Sequence, residues 1–263
     1  MSALNLSPAL PSAFDSADAR RTVSFIVLLT LEVSLARIVL TFALGDYGTP
    51  HLLSLLATPT VSLIALGALR SGRVRPGTDD KVLTFWNALA LRAFAEAGRY
   101  LNRPDYLEAA RRNADFLLNH LHQLGRLLRS WRAGRAHLNA YLEDYASLIL
   151  ALLELYQSDT QVRWYRAALQ LADEMLAHFA DPAGGFFDTR DDHEMLIVRP
   201  RDVQDNATPS GNALAAAALL KLSSCGDRPD ARRTAEQMLA GMQAQAARYP
   251  TAFAQWLCAV DDA

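Results

Sequence analysis

Cysteine is scarce in this chain: Cys225 and Cys258 are the two present, far apart and in neither a CxxC nor a zinc-ligand spacing. That excludes a disulfide framework and gives no reason to expect a metal centre. No cofactor is expected either. An excess of charge of one sign is also missing. Lys and Arg number 26 against 28 Asp and Glu, a net charge of -2, so there is no basic patch of the kind nucleic acid needs. The local run Arg126, Arg129, Arg132 and Arg135 reads as a solvated pair of strands. This composition fits a cytoplasmic protein.

Residues 1–70 do not share the character of the rest. Stretches 23–44 and 52–69 are apolar and near membrane length, but the first holds Glu32 and Arg37 in its interior, each costing a few kcal/mol at a bilayer centre. The second contains Thr58-Pro59 and is short for a span. No secretory signal is expected, because acidic residues precede the first apolar run and no clear cleavage site follows it. Three readings stay open for this segment: buried helices, a membrane association, or an artefact of the coding frame.

Residues 71–263 are organised differently. A helix-loop-helix unit occurs three times, clearest in the second helix of each copy: residues 103–118 parallel 161–176, with a weaker copy at 228–239. More apolar helices precede these, starting near Thr84, Leu142 and Pro209. In the first, Trp86, Ala90, Ala93, Phe94 and Ala97 recur at helical spacing, and Pro104 then sits where a helix's first turn tolerates proline. Between hairpins, residues 125–134 alternate around a glycine turn and predict a short strand pair, and residues 181–189 predict a turn and a short strand. Residues 251–260 read as the start of one more helix. Each hairpin buries its apolar face against its neighbours, so the predicted class is all-α, with apolar helices inside and charged helices outside, as in a solenoid or an α/α toroid.

Four loop elements carry a family resemblance. Arg73-Val-Arg-Pro-Gly-Thr-Asp-Asp-Lys-Val-Leu-Thr-Phe-Trp-Asn87 resembles the RPxxDDKxLTSWNGL element of the thioredoxin-domain-containing family typified by YyaL and spermatogenesis-associated protein 20. Leu142-Glu-Asp-Tyr-Ala146, Gly184-Gly-Phe-Phe-Asp-Thr189 and Asp205-Asn-Ala-Thr-Pro-Ser-Gly-Asn212 agree with it in order and spacing. The resemblance implies a partial (α/α)6 toroid similar to six-hairpin glycosidases and N-acylglucosamine 2-epimerases, here its C-terminal half. It also implies a piece of a larger protein whose thioredoxin-like domain is not represented in this sequence. Phe85 and Ala88 depart from the family's Ser and Gly, adding bulk beside Trp86-Asn87.

In a toroid the inner-helix starts converge on a central cavity. Glu143, Asp144 and Asp205 are therefore candidate acid/base groups for glycoside processing, a chemistry in which carboxylates about 5 to 10 Å apart decide the stereochemical outcome. Asp80, Lys81, Trp86, Asn87, Tyr145, Asp188, Asn206, Ser210 and Asn212 are candidate substrate contacts, and Trp86, Tyr141 and Tyr145 offer flat faces for sugar rings. Several of these residues serve equally well as helix caps or turn closures. The resemblance also brings in sugar 2-epimerisation, which in that family uses histidines, yet none of the six histidines lies at an inner-helix start. His120 and His122 are two apart on an outer helix, and His193 reads as part of a solvated turn. Two functions follow as alternatives. One is glycosidase-like or epimerase-like processing of a carbohydrate ligand. The other is a non-catalytic helical scaffold that binds a protein partner or forms a homo-oligomer through an open face.

Overall fold

Leu142–Asp159 is apolar on every side, and a helix of that kind must lie in the interior. The computed structural model, which describes residues 77–194, 197–261 and 263 together with Gly67 and Arg70, places it at the centre. The expectations for residues 23–44 and 52–69 lie outside the described residues. Among those described, no helix is long and apolar enough to cross a membrane.

The elements of the unit Asp79–Ala263 run in order. Strand β1 (Val82–Leu83) leads directly into α1 (Thr84–Tyr100), and α2 (Pro104–Phe116) returns antiparallel, closing through a π-turn at Leu117–Leu121. A small sheet follows: β2 (His122–Gln123), β3 (Arg126–Arg132) and β4 (Arg135–Asn139). Next come α3 (Leu142–Asp159), α4 (Val162–Phe179), α5 (Gly211–Cys225), α6 (Pro229–Arg248) and, after a 3-10 turn, α7 (Ala254–Asp261).

The inner layer is α1, α3 and α5, packed side by side, and α2, α4 and α6 each pack outside their own inner helix. Helix α7 lies against α5 and α6. In α3 and α4 the core follows the apolar patterning, with Leu148, Ile149, Leu152, Leu155 and Trp164 wholly buried. In α1 it does not: the periodic Trp86, Ala93 and Phe94 are exposed, and the helix buries Phe85, Ala88, Leu91 and Ala95 instead. In α5, Ala213, Ala215, Ala216 and Ala218 are buried, and their small size lets α5 approach α3 closely. Gly211 marks the nearest approach. A Cβ there would sit 3.2 Å from the Glu143 nitrogen, so the starts of α5 and α3 touch at a point where any side chain would crowd them.

The strand pair expected at 125–134 is present and extended. Strand β3 pairs antiparallel with β1, β2 and β4, through registers such as Val82 with Trp131 and Ser130 with His137. Both tight turns use two residues of positive φ, Leu124-Gly125 and Ala133-Gly134, the pattern that suits the twist of a two-residue hairpin loop. Glycine supplies only the second position of each. The strand expected after residue 181 reduces to a single bridge between Ala180 and Phe186.

Candidate functional site

A cleft of about 310 Å³ opens at the N-terminal ends of α3 and α5. Its lining includes Arg129 of β3, Tyr141 and Glu143 at the start of α3, and Asp188, Asp202, Gln204, Asn206 and Ser210 from the loop leading to α5. The local backbone explains why these meet. The Leu142 amide donates to the Asp188 carbonyl at 2.9 Å, and the Asp188 amide to the Pro200 carbonyl at 2.8 Å, so the long loop is laced to the entrance of α3. Asn212 reinforces it from behind. Fully buried, it accepts from the Phe186 amide at 3.0 Å and donates to the Phe186 and Asp202 carbonyls.

Glu143 and Asp144 are adjacent in sequence and do different things. Glu143 faces the cleft and accepts from Arg129 Nη1 at 2.9 Å. Asp144 turns inward and is completely buried. Its Oδ1 accepts from the Phe85 amide at 3.0 Å, and its Oδ2 accepts from the Tyr141 amide at 2.9 Å and from Arg129 Nη1 at 3.1 Å. It thus caps α3 and ties in the start of α1. Burial pushes the Asp144 carboxyl up to about 7, against the pull of Arg129 and the two amides. Arg129 is the shared cation, and its guanidinium lies 4.6 Å from the centre of the Tyr141 ring.

Asp188 is half-buried, and its Oδ2 accepts from the Asp202 amide at 2.9 Å. Burial raises its pKa, and the neighbouring charges of Asp202 and Glu143 add to that, while the Asp202 amide and Arg201 oppose it. The cleft therefore sets a carboxylate paired with arginine beside a carboxyl whose pKa is raised by burial.

The other predicted residues are placed as follows. Asn206 and Ser210 line the cleft, and Ser210 also caps α5 by accepting from the Ala213 amide at 3.4 Å. Asp205 turns away from it: Oδ1 accepts from the Ser210 amide at 2.8 Å and Oδ2 from the Gln255 amide at 2.7 Å, which secures the start of α7. Tyr145 is buried behind the sheet, its hydroxyl accepting from the Leu127 amide at 2.9 Å and from Arg190, and donating to Glu174. Asp80 is exposed and pairs with Arg132, and Lys81 pairs with Asp79. Trp86 is 62% exposed on α1 and does not line the cleft, while Asn87 donates to the Leu83 carbonyl within its own first turn.

Arg129, Asp202, Gln204 and His193 did not stand out in the sequence as site residues. A signal existed for Arg129: strand alternation puts it on the same face as buried Leu127, so it points at the body of the protein. His193 lies in the turn expected, between exposed neighbours, and is itself half-buried. Its ring stacks on Tyr141, 5.7 Å between centres, which makes it a support for the cleft wall. Among the described residues there is no group of three or more side chains able to hold a metal ion.

The layered hairpins and the cleft at the inner-helix starts define the class: a partial α/α toroid of the six-hairpin glycosidase kind. The cellobiose 2-epimerase of Spirochaeta thermophila shares this fold with a TM-score of 0.52 at 18% identity, covering 62% of this chain and 43% of that one. The GH76 α-mannanase of Bacteroides thetaiotaomicron does so with a TM-score of 0.52 at 15% identity, over 65% and 47% of the two chains. In sequence, the chain is similar to human spermatogenesis-associated protein 20, 34% identical over 165 residues, or 58% of this chain and 21% of the relative. The chain therefore spans about a fifth of the length of that relative. No family model matches.

Proposed function

We propose that the cleft between the starts of α3 and α5 binds a carbohydrate, with Glu143 and Asp188 as the acid/base pair of a glycoside-processing reaction. The observation that carries this reading is the gathering of both carboxyls, Tyr141 and the amide-bearing Gln204 and Asn206 around one cavity. Its size falls at the lower end of ligand pockets, roughly 300 Å³ and upward, enough for one or two sugar rings. Glu143, paired with Arg129, is the carboxylate that accepts a proton or attacks. Asp188, with its raised pKa, is the acid that protonates the leaving oxygen. Asp144 and Asp205, candidates on sequence grounds, act in this reading as positioning residues.

The test is a glycan panel screened for binding by ligand-observed NMR and for turnover with aryl glycosides. Glu143→Gln and Asp188→Asn should each lower turnover by about a hundredfold or more while the fold persists by circular dichroism. Unchanged turnover in both variants would refute the assignment.

One observation favours a second reading. Helix α1 exposes Trp86 at 62%, Phe94 at 42% and Tyr100 at 73%, a run of large side chains of the kind that marks interfaces. In that reading α1 is the surface through which the chain meets a protein partner or a second copy. Sedimentation velocity across a hundredfold concentration range tests self-association directly.

A further inference from the structure

Helix α1 stands at the edge of the inner layer, with α3, α2 and the sheet packed against one side of it. At about 100° per residue, Trp86, Leu89, Ala93, Ala97 and Tyr100 all project within about 40° of one direction. The buried Ala88, Leu91 and Ala95 point the other way. The outward face stays open, with Trp86 62% and Tyr100 73% exposed and Ala93 exposed between them. Its pattern is nearly palindromic. Trp86 and Tyr100 each lie seven residues from Ala93, and Leu89 and Ala97 each lie four, so the face complements itself when turned about an axis at Ala93. The charges fit the same operation. Arg99 is committed to Glu154 at 2.6 Å, but Arg92 and Glu96 have no ion-pair partner among the described residues. Both flank the face on the same side, and an arginine four residues before a glutamate is the weaker order for a pair within one helix.

Resting on the reading of α1 as an interface, we propose that its occupant is a second copy of this chain, the two α1 helices packed antiparallel about a two-fold axis at Ala93. Such a contact is isologous, the same patch serving on both copies. Trp86 of each copy lies on the partner's Tyr100, which places an aromatic pair at both ends of the seam. Ala93 at the centre lets the helix axes approach to about 8 Å, the close end of the usual range. Each Glu96 comes within about 3 Å, measured along the helix axis, of the partner's Arg92, so two ion pairs close across the seam. One helix pair makes a small interface beside the roughly 1,200–2,000 Å² of stable ones, so a reversible dimer in the micromolar range is expected.

The experiment is sedimentation velocity of the full chain up to hundreds of micromolar, joined to disulfide trapping. Wild type should pass from monomer to dimer, and Trp86→Ala should weaken the dimer at least about tenfold. Arg92→Glu and Glu96→Arg should each weaken it severalfold, and the double swap should restore it. In a Cys225→Ser/Cys258→Ser background, Ala93→Cys should form a disulfide dimer with itself. Trp86→Cys should not, since its two copies stand about 21 Å apart, yet it should cross-link when mixed with Tyr100→Cys. A wild type that stays monomeric throughout overturns the second copy as occupant and leaves α1 as an interface for another protein. A dimer indifferent to Trp86→Ala and to both charge variants overturns α1 as the interface, and the proposal with it. A dimer that weakens in those variants but is not trapped by Ala93→Cys overturns the two-fold packing while leaving the reading of α1 intact.

Discussion

Removing the Asp144 carboxylate is the perturbation that best separates a scaffold role from a catalytic one. The side chain is wholly buried and accepts from three donors: the amides of Phe85 and Tyr141 and the guanidinium of Arg129. Asp144→Ala leaves two backbone N–H groups without partners and Arg129 with Glu143 alone. Each orphaned buried donor costs about 1–3 kcal/mol. Breaking a buried ion pair from one side costs about 3–5 kcal/mol, and because the terms overlap, a total of about 3–5 kcal/mol is expected. Arg129→Met alone should cost less, about 1–3 kcal/mol, since Asp144 keeps both amides and can hold a proton. The two losses should be far from additive, with a coupling of about 1–3 kcal/mol in the double variant. Urea denaturation of the four proteins, followed by far-UV circular dichroism, provides the cycle. A loss below about 1 kcal/mol for Asp144→Ala, or strict additivity, would refute the claim that this carboxylate joins α1, α3 and β3.

Three further outcomes follow. The folded pKa of Asp144 stands near 7, above its ordinary value of 3.8, so the folded state holds the proton more tightly than the unfolded chain. The stability this gives is complete below about pH 4 and is lost as pH rises toward 7. Asp144→Asn should therefore show a flatter decline of denaturation midpoint than wild type between pH 4.5 and 7.5, and equal slopes would contradict the assignment. Asp205→Ala should cost about 1–3 kcal/mol by freeing the Ser210 and Gln255 amides, and hydrogen exchange should rise first in α7 (Ala254–Asp261). Leu152→Ala, in the centre of α3, should cost about 2–5 kcal/mol in the same denaturation assay, because the surrounding helices cannot collapse into the space.

Much of the fold was legible because apolar periodicity and helix boundaries are local signals. The start of α1 at Thr84, the proline entry to α2 and the strand pair around Ala133-Gly134 all follow from such patterns. Strand β1 was not legible: two residues pair with β3 only because the hairpin is brought beside the start of α1, a contact across 49 positions at Val82 and Trp131. The candidate site was legible as a set of loops and not as a set of roles. Tyr145 shows why. On a sequence it is an aromatic next to two carboxylates, but it lies on the side of α3 that packs against the sheet, and its hydroxyl is held there by the Leu127 amide. Arg129 was obscured by its company, since Arg126, Arg132 and Arg135 around it pair with surface carboxylates or stand exposed.

The division of labour between neighbouring polar residues has a geometric source. Successive residues in a helical turn point about 100° apart, so two adjacent side chains at a helix start can share a partner, as Glu143 and Asp144 share Arg129, and still face different surroundings. At α3, Asp144 reaches back to cap the helix while Glu143 enters the cleft. The loop before α5, which is not helical at these positions, shows a similar division: Asp205 binds the Ser210 and Gln255 amides while Asn206 lines the cleft. In both pairs the inward aspartate fixes the backbone that carries its outward neighbour. Variants of Asp144 and Asp205 should therefore change stability and, through it, the placement of the cleft. Glu143→Gln and Asp188→Asn should change ligand chemistry with little effect on folding, because each keeps an oxygen, which at position 188 still accepts the Asp202 amide.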